Sequence, residues 1–214
     1  MLDRRLCAWI ALVSAFVCMV GLTGVDRALA EWIRASGVEN APFFTHGLAT
    51  LDRVSGIHVW LWLAGTVALA VGAIGLAMRR RARWPAALMA AGIVQFATLL
   101  TMMLAKPQFG RLRPHQVLES GDWTHVWFAG GGSFPSGHVA FYFGLLVPLA
   151  AACSRVWQRT VVLALGVFVA AARLDLAAHF LSDVAASALL AALFTLLLSA
   201  LARAWFRHAS DART

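Results

Sequence analysis

The sequence predicts an all-α, polytopic membrane protein with six transmembrane helices, and three observations carry that prediction. Apolar residues make up 61% of the 214 residues, and the mean hydropathy is +0.75. Charged residues are only 13%, where a soluble domain carries about a quarter. Several apolar runs reach the roughly 20 residues that cross a bilayer.

In order, the runs are Leu6–Val25, Ile57–Met78, Pro85–Ala105, Gly137–Cys153, Thr160–Ala172 and Val184–Phe206. The fifth is short for a span, so it is expected to extend or tilt. Residues 1–214 are expected to form a single transmembrane domain with no second globular unit. At the N-terminus, Arg4 and Arg5, an apolar run and then Ala28-Leu29-Ala30 have the outline of a cleaved signal peptide. The run is long for one, and Asp26 and Arg27 crowd the cleavage position, which favours an uncleaved helix.

The formal net charge of +8 does not indicate nucleic acid, because most arginines sit in short loops beside the apolar runs. Arg4 and Arg5 precede the first run. Arg79, Arg80, Arg81 and Arg83 join the second to the third, Arg155 and Arg159 join the fourth to the fifth, and Arg203 and Arg207 end the sixth. With six spans these all fall on one side, which is expected to be cytoplasmic together with both termini. The segments around 26–56, 106–136 and 173–183 fall on the other side. In the first of them, Leu29, Trp32 and Ile33 suit a short amphipathic helix at the interface. Cys7, Cys18 and Cys153 lie in or at the edge of apolar runs without metal-ligand spacing and read as small core residues.

Some outer segments break the charge rule. Lys106, Arg111 and Arg113 follow the third run, and Arg173 follows the fifth. Lys106 is the one lysine among 18 Lys and Arg residues. Ionisable groups at membrane depth are functional candidates by default. Lys106, Arg113 and Arg173 converging on one pocket suit a phosphate, through the arginine fork and the lysine point charge. Each alone reads equally well as a residue snorkelling at the membrane edge.

Ser136 and Gly137 stand where a loop meets a helix, a place where free N–H groups hold anions and where Ser136 also serves as a cap. Gly130, Gly131 and Gly132 let the preceding loop fold tightly. His179 and Asp183 are one helical turn apart and share a face. A carboxylate holding one imidazole nitrogen leaves the other as a nucleophile, although a purely structural His–Asp bond has the same spacing. His138 is placed to protonate a leaving alkoxide. His46, His58, His115, His125 and His208 lack such partners in sequence and read as interfacial or solvated.

Three motifs stand in order: Lys106…Arg113-Pro114, Pro135-Ser136-Gly137-His138, and Arg173…His179…Asp183. Together they resemble the type 2 phosphatidic acid phosphatase superfamily, in its membrane lipid phosphatase branch, with the motifs spread over about residues 106–183. The resemblance implies that His179 attacks phosphorus and forms a phosphohistidine, that Asp183 orients it and that His138 protonates the leaving group. It also implies that Lys106, Arg113, Ser136, Gly137 and Arg173 hold the phosphoryl oxygens, with no metal and no cofactor. The implied substrate is a lipid phosphomonoester or diphosphate of the undecaprenyl diphosphate, phosphatidylglycerol phosphate, phosphatidic acid or lipid A type. The implied setting is a bacterial cytoplasmic (inner) membrane, with the active site at the non-cytoplasmic end of the bundle.

Two departures from the family pattern stand out. Ala172 takes the place of a frequent serine, and Asp175, unfavourable beside a phosphate, is expected to point away. Arg111 is a further cation, grouped with His115, Glu119, Asp122 and Trp123 as a candidate headgroup contact. The competing readings are a haloperoxidase-like relative, against which the six spans argue, and a transporter or channel with a charged outer vestibule. The latter leaves the histidine pair and its carboxylate unexplained.

Overall fold

The computed structural model describes residues 2–78 and 83–211. The arginine cluster at 79–81 and the side chain of Arg207 lie outside the described residues. Nine α-helices, and no strand, are found among those described: α1 Arg4–Val20, α2 Asp26–Ala35, α3 Pro42–Ser55, α4 Leu63–Met78, α5 Arg83–Phe109, α6 Pro114–Ser120, α7 Gly137–Ala152, α8 Val156–Asp175 and α9 Leu181–Asp211. Among the described residues, four stretches are long and apolar enough to cross a membrane, namely Arg4–Ala35, Arg83–Ser120, Val156–Asp175 and Leu181–Trp205. Leu63–Met78 and Gly137–Ala152 are shorter apolar helices. Trp9, Phe16, Val161, Val167, Leu197 and Leu201 stand exposed on the flanks, as expected of an integral membrane protein whose outer surface meets lipid.

Each apolar run of the sequence contains a helix, with shifted ends. The short fifth run grows to the 20 residues of α8. The second loses its start, because Gly56 closes α3 in a left-handed conformation (φ 68°) and turns follow up to Leu63. The kink between α1 and α2 sits at Gly24, with φ 124°. α2 is the short amphipathic helix expected at Leu29–Ile33. α3 and α6 were not expected, yet both carry ordinary signals: a proline at the start, at Pro42 and Pro114, and a left-handed glycine at the end, at Gly56 and Gly121.

α7 occupies the centre, packed on α5, α8 and α9, while α1 packs along α9 and α4 along α5. The α5–α7 crossing is close because Gly144 has no side chain: a Cβ there would stand 2.5 Å from Thr98 Oγ1 and 2.7 Å from Gln95 Cα. At the end of the bundle away from the motifs, Asp3 caps α1, its N–H donates to Ala151 O (2.8 Å), and its carboxylate pairs with Arg159 Nη1 (2.6 Å). At the opposite end, α2, α3, α6 and the 121–136 loop gather over the starts of α7 and α9. There Ala30, Val117, Val126 and Phe180 form a small buried cluster.

Candidate active site

The three motifs meet at the C-terminal ends of α5 and α8 and the starts of α7 and α9. The Lys106 stem passes the start of α7, with its Cε 4.0 Å from where a Cβ on Gly137 would be, and its Nζ donates to Gly132 O. Lys106 lies within electrostatic range of Arg113 and Arg173, and Arg173 within range of Arg113. Among the described residues no hydrogen bond or ion pair holds the guanidinium of Arg113 or Arg173, and the buried Nε of Arg173 has no partner. Cations gathered without a bonded counter-charge make a pocket for an anion. Ser136 caps α7 and, like the Gly137 and His138 amides behind it, sits at the helix start. Those two amides have no hydrogen-bond partner among the described residues.

His179 lies in the turn between α8 and α9 and is 3% exposed. Its Nδ1 is 2.8 Å from Ser133 O, whereas the nearest Asp183 oxygen, Oδ2, is 3.7 Å away. The hydrogen bond expected from Asp183 is thus made by a backbone carbonyl instead. A carbonyl only accepts, so the proton sits on Nδ1 and the Nε2 lone pair is free. Burial pushes the imidazole down to about 4, with Arg173 and Lys106 adding to the effect and Asp183 opposing it. The ring is therefore neutral at physiological pH, the state a nucleophile requires.

Asp183 acts one step further back. Its carboxylate accepts from Ser133 Oγ (2.5 Å), from Phe180 N (2.8 Å) and from Arg111 Nη1, and its backbone carbonyl accepts from Ser136 N (3.2 Å). Ser133 thereby ties both residues, giving its hydroxyl to Asp183 and its carbonyl to His179. Ser187 closes the same joint, donating to Ser136 O at 2.9 Å.

Arg111 corrects the sequence reading most. Grouped there with the headgroup contacts, it is only 4% exposed, and both its terminal nitrogens are bonded while its buried Nε has no partner among the described residues. Its guanidinium bridges Asp183, Ser182 Oγ (2.7 Å) and Asp26 Oδ2 (2.7 Å), and it stacks between Trp127 (4.3 Å) and Phe180 (4.2 Å). Asp26 returns to α9 by accepting from Ser182 N (2.9 Å) and from its hydroxyl. The glycine loop lies flat on this residue, since a Cβ on Gly131 would be 2.2 Å from Arg111 O. Of the other proposed headgroup contacts, Glu119 and Asp122 are exposed, Trp123 packs toward Phe180, and His115 Nδ1 donates to Ala177 O at 3.1 Å.

His138 has a partner that no motif announced. Its Nε2 is 3.1 Å from Oδ2 of buried Asp52 on α3. The same oxygen is 3.2 Å from His58 Nε2, and Asp52 Oδ1 accepts from Tyr142 OH (2.9 Å). Burial alone would raise the Asp52 carboxyl, but the His138 and Tyr142 bonds hold it below its ordinary value, so it stays a carboxylate. His58, His115 and His125, read as unpartnered, therefore all have partners, the last in exposed Asp122 at 3.3 Å. Asp175 turns away from the pocket as expected and accepts from Ala41 N at 2.9 Å, at the start of α3.

Phe180 and Ser182, one and three positions after His179, give no sequence signal of their own. Asp26 and Asp52 lie far from the motifs in the chain, and only the fold brings them in. No curated protein and no solved structure matches the chain. The family model of the PAP2 superfamily matches residues 85–207, which contain all three motifs, and the chain belongs to that superfamily, whose membership points to phosphatase-type activity.

Proposed function

We propose that the protein is a lipid phosphatase that works through a phosphohistidine on His179. The observation that carries the reading is the neutral, buried imidazole whose Nδ1 is held by Ser133 O beside three cations that have no bonded anion among the described residues. In the proposed reaction Nε2 attacks phosphorus and the phosphorus–oxygen bond to the lipid breaks. His138 gives its proton to the departing alkoxide. Water then attacks the phosphohistidine, His138 takes the water proton, and inorganic phosphate leaves with His179 restored. Lys106, Arg113, Arg173 and the Ser136–His138 helix start hold the phosphoryl oxygens as charge develops, so the reaction runs without a metal. Asp183 acts through Ser133 and Arg111, fixing the turn that presents His179.

A lipid substrate is supported by an apolar cavity of about 340 Å³ among α1, α7, α8 and α9, lined by Trp9, Val13, Phe143, Val167, Leu181 and Val184. Leu181 begins α9 only two positions after His179, so an acyl or prenyl chain in the cavity leads toward the nucleophile. In our reading α1, α4, α5, α7, α8 and α9 all span the membrane, both termini are cytoplasmic, and the motif end faces outward, which is the periplasm for a bacterial inner-membrane protein.

The test is purified protein with a panel of lipid phosphates and diphosphates. We expect phosphate release that vanadate inhibits and that chelators leave intact. No release from any member, or release that needs an added divalent ion, overturns the reading. Cysteine labelling from outside that reaches Arg83 but not Gly121 overturns the orientation.

A further inference from the structure

Around His138 stand more ligating groups than the phosphatase reaction uses. Asp52 Oδ2 faces His138 Nε2 at 3.1 Å and His58 Nε2 at 3.2 Å, and one ligating atom from each residue lies within 4.8 Å of the others. Donors about 2.0–2.2 Å from one tetrahedral zinc ion are separated by roughly 3.3–3.6 Å, so small side-chain shifts would close the set around an ion. The carboxylate is already braced, because Tyr142 OH donates to its other oxygen at 2.9 Å and itself meets Ser55 Oγ at 3.0 Å. Metal-binding groups commonly have such outer support. Asp52 is buried, while the His58 side chain is 70% exposed, which leaves an entry path and room for a water as fourth ligand. Two imidazoles with one carboxylate favour a transition ion over magnesium or calcium.

We propose that Asp52, His58 and His138 form a binding site for a divalent ion of the zinc class, and that the bound ion switches the enzyme off by occupying the His138 nitrogen. The inhibition rests on the phosphatase reading; the binding does not. Arg173 lies within electrostatic range of Asp52 and weakens the pull on a cation, which suits an ion that exchanges with solution.

The experiment uses the purified full-length protein with cobalt(II) as a spectroscopic probe and zinc as the inhibitor. Wild-type protein should develop the visible absorption of low-coordinate cobalt, lose it when zinc is added, and lose phosphatase activity over the same zinc range. His58→Ala should keep the metal-free activity, lose the cobalt band and need at least about tenfold more zinc for inhibition. His46→Ala, which removes another exposed histidine of the same region, should behave as wild type. Magnesium at equal concentration should inhibit neither. Equal zinc sensitivity in wild type and His58→Ala, or no cobalt band in wild type, overturns the proposal. If no lipid phosphate is hydrolysed, the phosphatase reading fails, and the cobalt titration of wild type and His58→Ala still decides the site.

Discussion

The two histidines of the site are held in opposite ways. His179 is almost wholly buried and rests on a backbone carbonyl, and behind it lies a closed set of Ser133, Asp183, Arg111, Ser182 and Asp26. His138 is 21% exposed in its side chain and is held by one carboxylate reaching across from α3, next to a solvent-facing histidine. A nucleophile gains from a fixed tautomer and a dry setting. A group that gives and takes protons needs a connection to water. The inner set therefore reads as scaffold and the His138–Asp52 pair as an adjustable proton device.

Removing the proposed nucleophile should have the largest effect. With His179→Ala, turnover and acid-quenched capture of labelled phosphate on the chain should vanish together. Label still trapped on this variant would place the covalent step on another residue.

His138→Ala should be selective. On a lipid phosphate, whose alkoxide is a poor leaving group, the loss should be about a hundredfold to ten-thousandfold, the usual worth of general acid catalysis. On an aryl phosphate the defect should shrink, and phosphate should still be trapped on His179. Equal losses on both substrates would remove His138 from the acid role and leave no functional contrast between the two histidines.

Arg111→Leu tests the scaffold. It leaves Asp26 and Asp183 buried and unpaired, which should cost about 3–5 kcal/mol of stability, read by thermal unfolding in detergent. Arg27→Ala, which removes the exposed pair with Glu31, should cost no more than about 1 kcal/mol. Similar shifts for the two variants would mean that the buried set does not hold the turn.

The contrast also explains what the sequence revealed. Lys106, Arg113, Ser136, Gly137, His138, Arg173, His179 and Asp183 sit at short, fixed spacings and in helix-start patterns, so they were legible without a structure. The apolar runs showed the helices, while their ends depended on local capping, as at Gly56 and the start of α4. What stayed hidden were groups joined by long-range packing. Ser133 O takes the place expected for Asp183 because a backbone carbonyl has no signature in a sequence. Arg111 resembled a free outer cation because its two carboxylate partners are 85 and 72 positions away. Asp52 is 86 positions from His138 and lies before the segment matched by the family model.

Asp52 allows the finest test. If it positions His138, Asp52→Asn keeps the side-chain shape but loses the charge that accepts the imidazole N–H. A hydrogen bond to a charged group contributes about 1.5–3 kcal/mol, which corresponds to roughly a tenfold to hundredfold loss of turnover on lipid phosphates. The loss should follow the leaving group, as with His138→Ala, because both variants impair the same proton. Trapping of phosphate from an aryl phosphate should stay near wild type, since among the described residues Asp52 has no hydrogen bond to His179 or to the residues behind it. Tyr142→Phe, which removes one neutral donor to the same carboxylate, should show a smaller version of the same pattern. A structural role alone would instead lower the rates on both substrates together and weaken thermal stability in parallel. Parallel losses of that kind would make Asp52 part of the scaffold and place both histidines on equally rigid supports.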